Sequence, residues 1–259
     1  VSRKDPSRSG NPAVRAAAKS AGSSGASGPA GPSPRSGSSV RSRQRLILGV
    51  LLGIVVIVLI AAVAVFSWRN SHRDPEPPAA QPSFGPVTLT NGRPIPLGEA
   101  DAPVILTLFE DFGCPHCADF EHSLGPTITA LQRSGEVKVE LYPMSFVSDR
   151  SPALANAMAC AATEGFGQGY YAGMFANYGL KWTDEQLIQL GSLVGKPSAG
   201  FAGCVRSQQH RAWVDSITRA AQQQKVEETP TVFINGVRQP DEAVTWSAAE
   251  LRSRIGAAK

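Results

Sequence analysis

Two of the four cysteines in this chain, Cys114 and Cys117, stand two residues apart in the stretch FEDFGCPHCADFE, directly behind an apolar run. Sulfur at that spacing can clamp a metal, attach a haem, staple the chain, or cycle between dithiol and disulfide. A zinc site needs about four ligands, commonly a second Cys-x-x-Cys or a His pair. Cys160 and Cys204 are far apart in sequence, and His72, His116, His122 and His210 show no ligand spacing. Haem attachment needs a His directly after the second cysteine, and position 118 is an alanine. A disulfide across two residues removes little chain entropy, so it is a weak staple. Redox chemistry remains. The apolar run reads as a strand and the residues after the cysteines as a helix. Cys114 then falls where a helix N-terminus points its unpaired N–H groups and positive dipole end. Pro115 suits a first helical turn because it has no N–H to lose. His116 adds a nearby donor or cation, although an exposed side chain without a role is the plainer reading of it. These effects favour thiolate, the nucleophilic form. Cys114 is then the attacking sulfur, and Cys117, one turn in, the more buried and less ionised resolving one. Stabilising the thiolate makes the disulfide more oxidising: a shift three units below neutral would raise the potential by ~100 mV.

Whether such a pair works as an oxidant depends on its compartment. Residues 1–45 are rich in Ser, Gly, Ala and Pro and carry nine Lys/Arg against one acid, Asp5. They have too little to bury to offset ordering entropy, so disorder is expected. The net charge of +4 is a property of this tail. With no aromatics and no recognition motif beside the basic residues, nucleic acid is not an expected partner. Residues 46–68, LILGVLLGIVVIVLIAAVAVFSW, contain no charge and no proline. At 1.5 Å per residue they cross roughly 30 Å of hydrocarbon. A core helix would show a polar face, and a cleaved signal peptide would be shorter and end in small residues. An uncleaved transmembrane anchor is expected. Arg41, Arg43 and Arg45 place its N-terminal side in the cytoplasm and everything after Trp68 outside. Residues 69–86 are Pro-rich and polar and read as a semi-extended tether. Residues 87–259 are the folded domain.

Within that domain, residues 86–98 alternate around Asn91-Gly92 and predict a short hairpin. VILTLF (104–109) and VKVELYPM (137–144) read as strands, and the helix between them carries the cysteines, with a kink expected at Pro126. A helical block of about residues 148–226 follows. Ser151-Pro152 predicts a helix start, Thr183 with Gln186 a capping box, Ser198 a further helix start, and Trp213, Ile217 and Ala220 one apolar helix face. TPTVFING returns to strand, turns at Asn235-Gly236 and pairs back, and Ser247 caps a last helix. The fold class is α/β: a small mixed sheet with an inserted helical subdomain.

FEDFGCPHCADFE resembles the active-site segment of the DsbA-like thiol–disulfide oxidoreductases of the thioredoxin superfamily, and ETPTVFING (228–236) resembles their cis-proline loop. The membrane anchor makes the chain similar to membrane-tethered, actinobacterial-type members. The resemblance implies a thioredoxin-like fold over roughly residues 100–255 and Cys114, Pro115, His116 and Cys117 as the catalytic segment. It implies a cis Pro230 facing the cysteines and Thr229 presenting backbone to a substrate strand. No metal, flavin or nucleotide cofactor is implied. Implied partners are reduced secreted or envelope proteins and a membrane reoxidase of the DsbB or vitamin-K-epoxide-reductase type. Cys160 and Cys204 are expected to pair, as a second bridge does in the resembling proteins; closing about 45 residues is worth roughly 4 kcal/mol. A relay pair passing electrons to Cys114 and Cys117 is the other reading. The chain departs from the enterobacterial type in three ways. Leu108 replaces a buried acid six residues before the first cysteine, leaving Glu110 or Asp111 for any proton transfer. Thr229 replaces Val. Glu227 and Glu228 would oppose thiolate formation if they faced Cys114. The expected activity is disulfide donation outside the cytoplasm; a reductase or isomerase of the same fold, and a non-catalytic tethered peptide-binding module, are the alternatives.

Overall fold

The computed structural model describes residues 39–71 and 73–259; most of the tail expected to be disordered, and His72, lie outside the described residues. The first helix, α1, spans Ser39–Ser71. It begins before residue 46 because SVRSRQR contains no helix breaker. Within its segment Gln44–Arg69 an 18-residue stretch has a mean hydropathy of 3.4, and among the described residues it is the one helix long and apolar enough to cross a membrane. Leu48, Ile57 and Phe66 are exposed on it, as a helix does when lipid rather than protein covers its side chains.

The domain is built on a five-stranded sheet. β1 (Ile95–Leu97), β2 (Val104–Glu110), β3 (Val137–Pro143), β4 (Thr231–Ile234) and β5 (Val237–Arg238) lie in the order β1-β3-β2-β4-β5. β2 and β3 are parallel, with Val104 opposite Val137 and Glu110 opposite Pro143. A parallel pair needs a crossover, and α2 (Pro115–Arg133) supplies it, running unbroken through Pro126. β2 is fully inside the sheet, so its side chains are buried from Leu106 to Glu110. β4 returns antiparallel to β2, with Phe109 opposite Thr231. That register matters most for the site: the end of β2, which feeds the cysteines, lies level with the start of β4, which follows Pro230.

The inserted block between β3 and β4 holds α3 (Ser151–Thr163), α4 (Gly167–Ala176), α5 (Asp184–Val194), α6 (Phe201–Ser207) and α7 (Arg211–Gln223). The Thr183–Gln186 capping box opens α5 and a Ser247–Glu250 box opens the last helix, α8 (Ala248–Ala257). α4 is not visible in the sequence pattern, because GQGYYAGMFA is apolar nearly all round and five of its ten residues are Gly or Ala. Ser151 does not cap α3. Arg150 is the N-cap, and the Ser151 hydroxyl turns instead to the Asp111 carboxylate at 2.6 Å.

Two expectations change on folding. The Asn91-Gly92 turn forms, but its first arm makes no strand: the Thr90 carbonyl accepts from the Trp213 indole and Val87 N–H bonds to Ala162. β1 pairs instead with β3, where Ile95 and Leu97 are buried. Residues 73–86 are no free tether. Asn177 holds Glu76 through both its backbone N–H and carbonyl, Gln186 bonds the Arg73 carbonyl, and Gln81 meets Thr129 and Gln168. The strap lies along the domain because buried or half-buried amides wait for its backbone groups, which an extended Pro-rich segment leaves unpaired.

Cys160 on α3 and Cys204 on α6 are joined by a disulfide that closes a separation of 44 residues. Asn156 supports it, donating to the Cys204 and Val205 carbonyls and accepting from His210 N–H. Replacing both cysteines by alanine is expected to cost about 4 kcal/mol of unfolding free energy, measured by denaturant titration of the chain in detergent, with a folded, less stable block as the outcome.

Candidate active site

The site starts with strand β2 ending at Glu110 and a tight passage into α2. Asp111 shapes that passage. It is fully buried, and its two oxygens accept from Gly113 N–H (2.8 Å), Ser151 Oγ (2.6 Å), Phe146 N–H (3.0 Å) and Val147 N–H (3.0 Å). One carboxylate thus ties the cysteine loop to the loop after β3 and to the start of α3. A Cβ at Gly113 would meet the Ser148, Ser151 and Asp111 side-chain oxygens at 2.8–3.2 Å, so any larger residue would have to displace them.

Cys114 is the N-cap of α2, in extended conformation (φ −85°, ψ 123°), with Pro115 in the first turn. Both cysteines are free thiols and buried. Their surroundings push them in opposite directions. Cys114 is lowered to about 5, chiefly by a hydrogen bond from the Cys117 side chain and against the cost of burial; Thr229 and the backbone N–H groups of Cys117 and His116 add to the pull. Cys117, fully buried, is pushed up by desolvation, by its bond to Cys114 and by the charge of Glu110. At neutral pH the pair therefore holds a thiolate at Cys114 and a thiol at Cys117.

The Thr229–Pro230 peptide bond is cis, and the Cys114 thiol meets the Thr229 carbonyl at 3.3 Å. The Thr229 hydroxyl favours the thiolate, yet in the dithiol geometry it falls short of a hydrogen bond and has no other partner. His116 and Pro115 are exposed; it is the backbone of His116, not its ring, that acts on Cys114. Glu227 and Glu228 are exposed, and Glu228 turns to Arg238 at 3.4 Å, so neither opposes the thiolate. Leu108 is buried in the sheet. Among the described residues one group of metal-ligand type, Cys160, Cys204 and His210, lies within 4.8 Å of one another, but both sulfurs are committed to their disulfide.

The sequence does not single out Tyr171 or Glu121. Tyr171 reaches from α4 to Glu110 Oε2 and, at 2.7 Å, to Glu121 Oε1 on α2. The second Glu110 oxygen is buried without a partner. No periodicity brings these three together; the inserted block does.

With this geometry the chain was compared with known proteins. The thioredoxin family profile matches residues 90–251. The chain belongs to this thioredoxin family. No curated protein sequence matches it. Among solved structures it is similar to the reduced form of a disulfide bond oxidoreductase (DsbG) from Mycobacterium tuberculosis, with TM-score 0.56 and 23% identity over 66% of this chain and 89% of that one. BdbD from Bacillus subtilis, in its oxidised form, aligns with TM-score 0.57 and 21% identity, covering 66% of this chain and 98% of that one. MdbA, a thiol-disulfide oxidoreductase from Actinomyces oris, aligns with TM-score 0.56 and 23% identity, covering 65% and 90%. These likenesses show a shared thioredoxin-like fold.

Three outcomes follow from the geometry. The ultraviolet thiolate absorbance of the reduced chain should titrate with a midpoint near about 5 and vanish in Cys114→Ser. Because the folded value lies below the unfolded ~8.5, the dithiol form gains stability relative to the disulfide form as pH rises from about 5 to about 8.5 and loses it again on acidification. Asp111→Ala, which strands four donors, should destabilise the domain by about 3 kcal/mol or more, read from chemical unfolding.

Proposed function

We propose that the protein is a membrane-anchored, extracytoplasmic thiol–disulfide oxidoreductase of the DsbA type that donates the Cys114–Cys117 disulfide to secreted or envelope proteins. The observation that carries this reading is the Cys114 thiolate, held near about 5 at a helix start facing a cis-proline loop. A substrate thiolate attacks Cys114 of the oxidised pair, Cys117 leaves, and a second substrate thiolate attacks the substrate sulfur of the mixed disulfide. The dithiol is then reoxidised by a membrane partner of the DsbB or vitamin-K-epoxide-reductase type, which the family resemblance implies. The backbone at Thr229 offers pairing groups to an extended segment. Phe146, Val147 and Tyr178 are exposed at 46%, 41% and 39%. The first two follow from the Asp111 clamp, and Tyr178 lies within electrostatic reach of Cys114 and Cys117. An apolar rim beside a reactive sulfur suits unfolded chains, which expose apolar side chains and free cysteines together.

The Cys160–Cys204 bridge supports an oxidising compartment, in agreement with the arginines that precede the apolar helix and the orientation they favour. In direction, a value near 5 lies about two units below neutral, and about two units below the nucleophilic cysteine of thioredoxin. At ~30 mV per unit this makes the pair ~60 mV more oxidising than thioredoxin, less than the ~100 mV that a three-unit shift would give.

Equilibration of the full chain in detergent with glutathione buffers, read by alkylation of Cys114 and Cys117, tests the direction. A potential of about −210 mV or higher is expected. A value at thioredoxin's, about −270 mV, would make the protein a reductase of the same fold, since the thiolate stabilisation would then be matched by an equal stabilisation of the disulfide.

A further inference from the structure

The inserted block holds a second group of side chains with chemistry of their own. Cys160 on α3, Cys204 on α6 and His210, the N-cap of α7, place two sulfurs and one ring nitrogen within 4.8 Å of one another. A staple needs only the two sulfurs. The His210 ring adds nothing to it: the ring makes no hydrogen bond or ion pair among the described residues, and it is the His210 backbone that is engaged.

One side chain keeps the three residues together whether or not the sulfurs are joined. Asn156 on α3 is fully buried. Its amide nitrogen donates to the Cys204 and Val205 carbonyls and, at 3.8 Å, to Cys160 Sγ, while its oxygen accepts from His210 N–H at 2.8 Å. Phe201 at the start of α6 packs edge-on to Phe166 and Tyr170 beside it. None of these contacts uses the S–S bond. A cysteine is made as a thiol, so every copy passes through a form in which the bridge is still open. That form brings two thiols and an imidazole to one place.

The donor set decides what such a place takes. Two thiolates and a neutral imidazole suit zinc, whereas calcium and magnesium seek oxygen. Bonds of ~2.3 Å to sulfur and ~2.1 Å to nitrogen set the ligand atoms of a tetrahedral ion ~3.5–3.8 Å apart, so atoms already within 4.8 Å have to move by about 1 Å. Asn156 Oδ1 is taken by His210 N–H, which leaves the fourth position to water. Cys160 and Cys204 are buried and His210 is half-buried, so the ion enters from the His210 side. The Asn156 N–H beside Cys160 Sγ is the kind of outer hydrogen bond that steadies a ligating atom.

We infer that Cys160, Cys204 and His210 form a zinc site in the chain whose bridge is still open, and that closing the bridge expels the ion. Two thiol protons leave as zinc binds. Closure needs a disulfide oxidant, such as the oxidised Cys114–Cys117 pair of another copy; only that choice of oxidant rests on the donor reading. One zinc-bound sulfur attacks the oxidant's S–S bond, and the other sulfur attacks the mixed disulfide. Cys160 and Cys204 lose two electrons to the oxidant, which takes up two protons from water and leaves as a dithiol. Zinc departs as Zn²⁺, having lost both thiolates. The ion thus ties α3 to α6 before the covalent bond does, and it keeps these two sulfurs with each other and apart from Cys114 and Cys117.

The test uses the full chain in detergent with Cys114→Ser and Cys117→Ser, which removes the competing thiols. The bridge is reduced with a phosphine, the reductant is removed without air, and cobalt(II) is added as a coloured stand-in for zinc. One cobalt per chain is expected, with sulfur-to-metal charge-transfer absorption and the intense visible bands of a tetrahedral ion. Zinc added afterwards should abolish both, the bridge-closed chain should bind none, and bound zinc should be released when diamide closes the bridge. His210→Ala in the same background should weaken zinc binding by ~tenfold or more and leave the unfolding of the bridge-closed chain unchanged. A reduced chain that holds no metal, or holds it equally well in His210→Ala, overturns the inference. If reduction unfolds the block, zinc should restore its helical circular dichroism in the parent and not in His210→Ala; no restoration overturns the inference as well. Neither result touches the donor reading, which the glutathione equilibrium of the wild-type chain decides.

Discussion

The thiolate at Cys114 is the interaction on which the rest of the site depends. A sulfur anion in a nearly closed position needs donors around it: Cys117 one turn along and the N–H groups of the first turn of α2 supply them, and the Thr229 hydroxyl adds to the pull from the far side. Thr229 is in range because of the β2–β4 register, which sets Phe109 opposite Thr231. The same closeness that favours charge on Cys114 forbids it on Cys117, because a donor to one sulfur must keep its own hydrogen. Two cysteines of identical chemistry thus acquire different duties from a displacement of three residues along one helix.

Two adjacent acids are divided in the same way. Asp111 and Glu110 alternate sides as strand residues do, and their fates follow. Asp111 turns toward backbone N–H groups and becomes a clamp. Glu110 turns toward Tyr171 of the inserted helices and Glu121 of α2, with Cys114 and Cys117 within electrostatic reach. A thioredoxin-like sheet without the insertion would have no Tyr171 to offer, so the helical block is part of the site as well as a cover over it. The Cys160–Cys204 bridge, with Asn156 beside it, fixes α3 against α6 and keeps that block in one arrangement.

The strap shows how a composition signal can be right about conformation and incomplete about placement. Residues 73–86 are Pro-rich and form neither helix nor strand. Such a segment, however, leaves its backbone groups free, and Asn177, Gln186 and Arg133 are side chains of the domain that bond them.

What the sequence determined by itself was local. The Cys-Pro-His-Cys segment behind an apolar strand, the proline after Thr229, the capping boxes at Thr183 and Ser247, and the charge-free run of residues 46–68 are all spacing or type signals carried by neighbours in the chain. What only the tertiary structure decided is non-local. The first arm of the expected hairpin goes to helices because Trp213, far along the chain, takes the Thr90 carbonyl. Ser151 leaves its capping role because Arg150 takes the N-cap position, and the Ser151 hydroxyl donates to Asp111 while it accepts from Ser148 N–H. His116, the residue the motif makes conspicuous, acts through its backbone. Glu110, Tyr171 and Glu121 look like a strand end, an apolar helix residue and a surface acid in the sequence. Their meeting depends on how two helices pack across β2, and burial, which sets their protons, exists only once that packing is made.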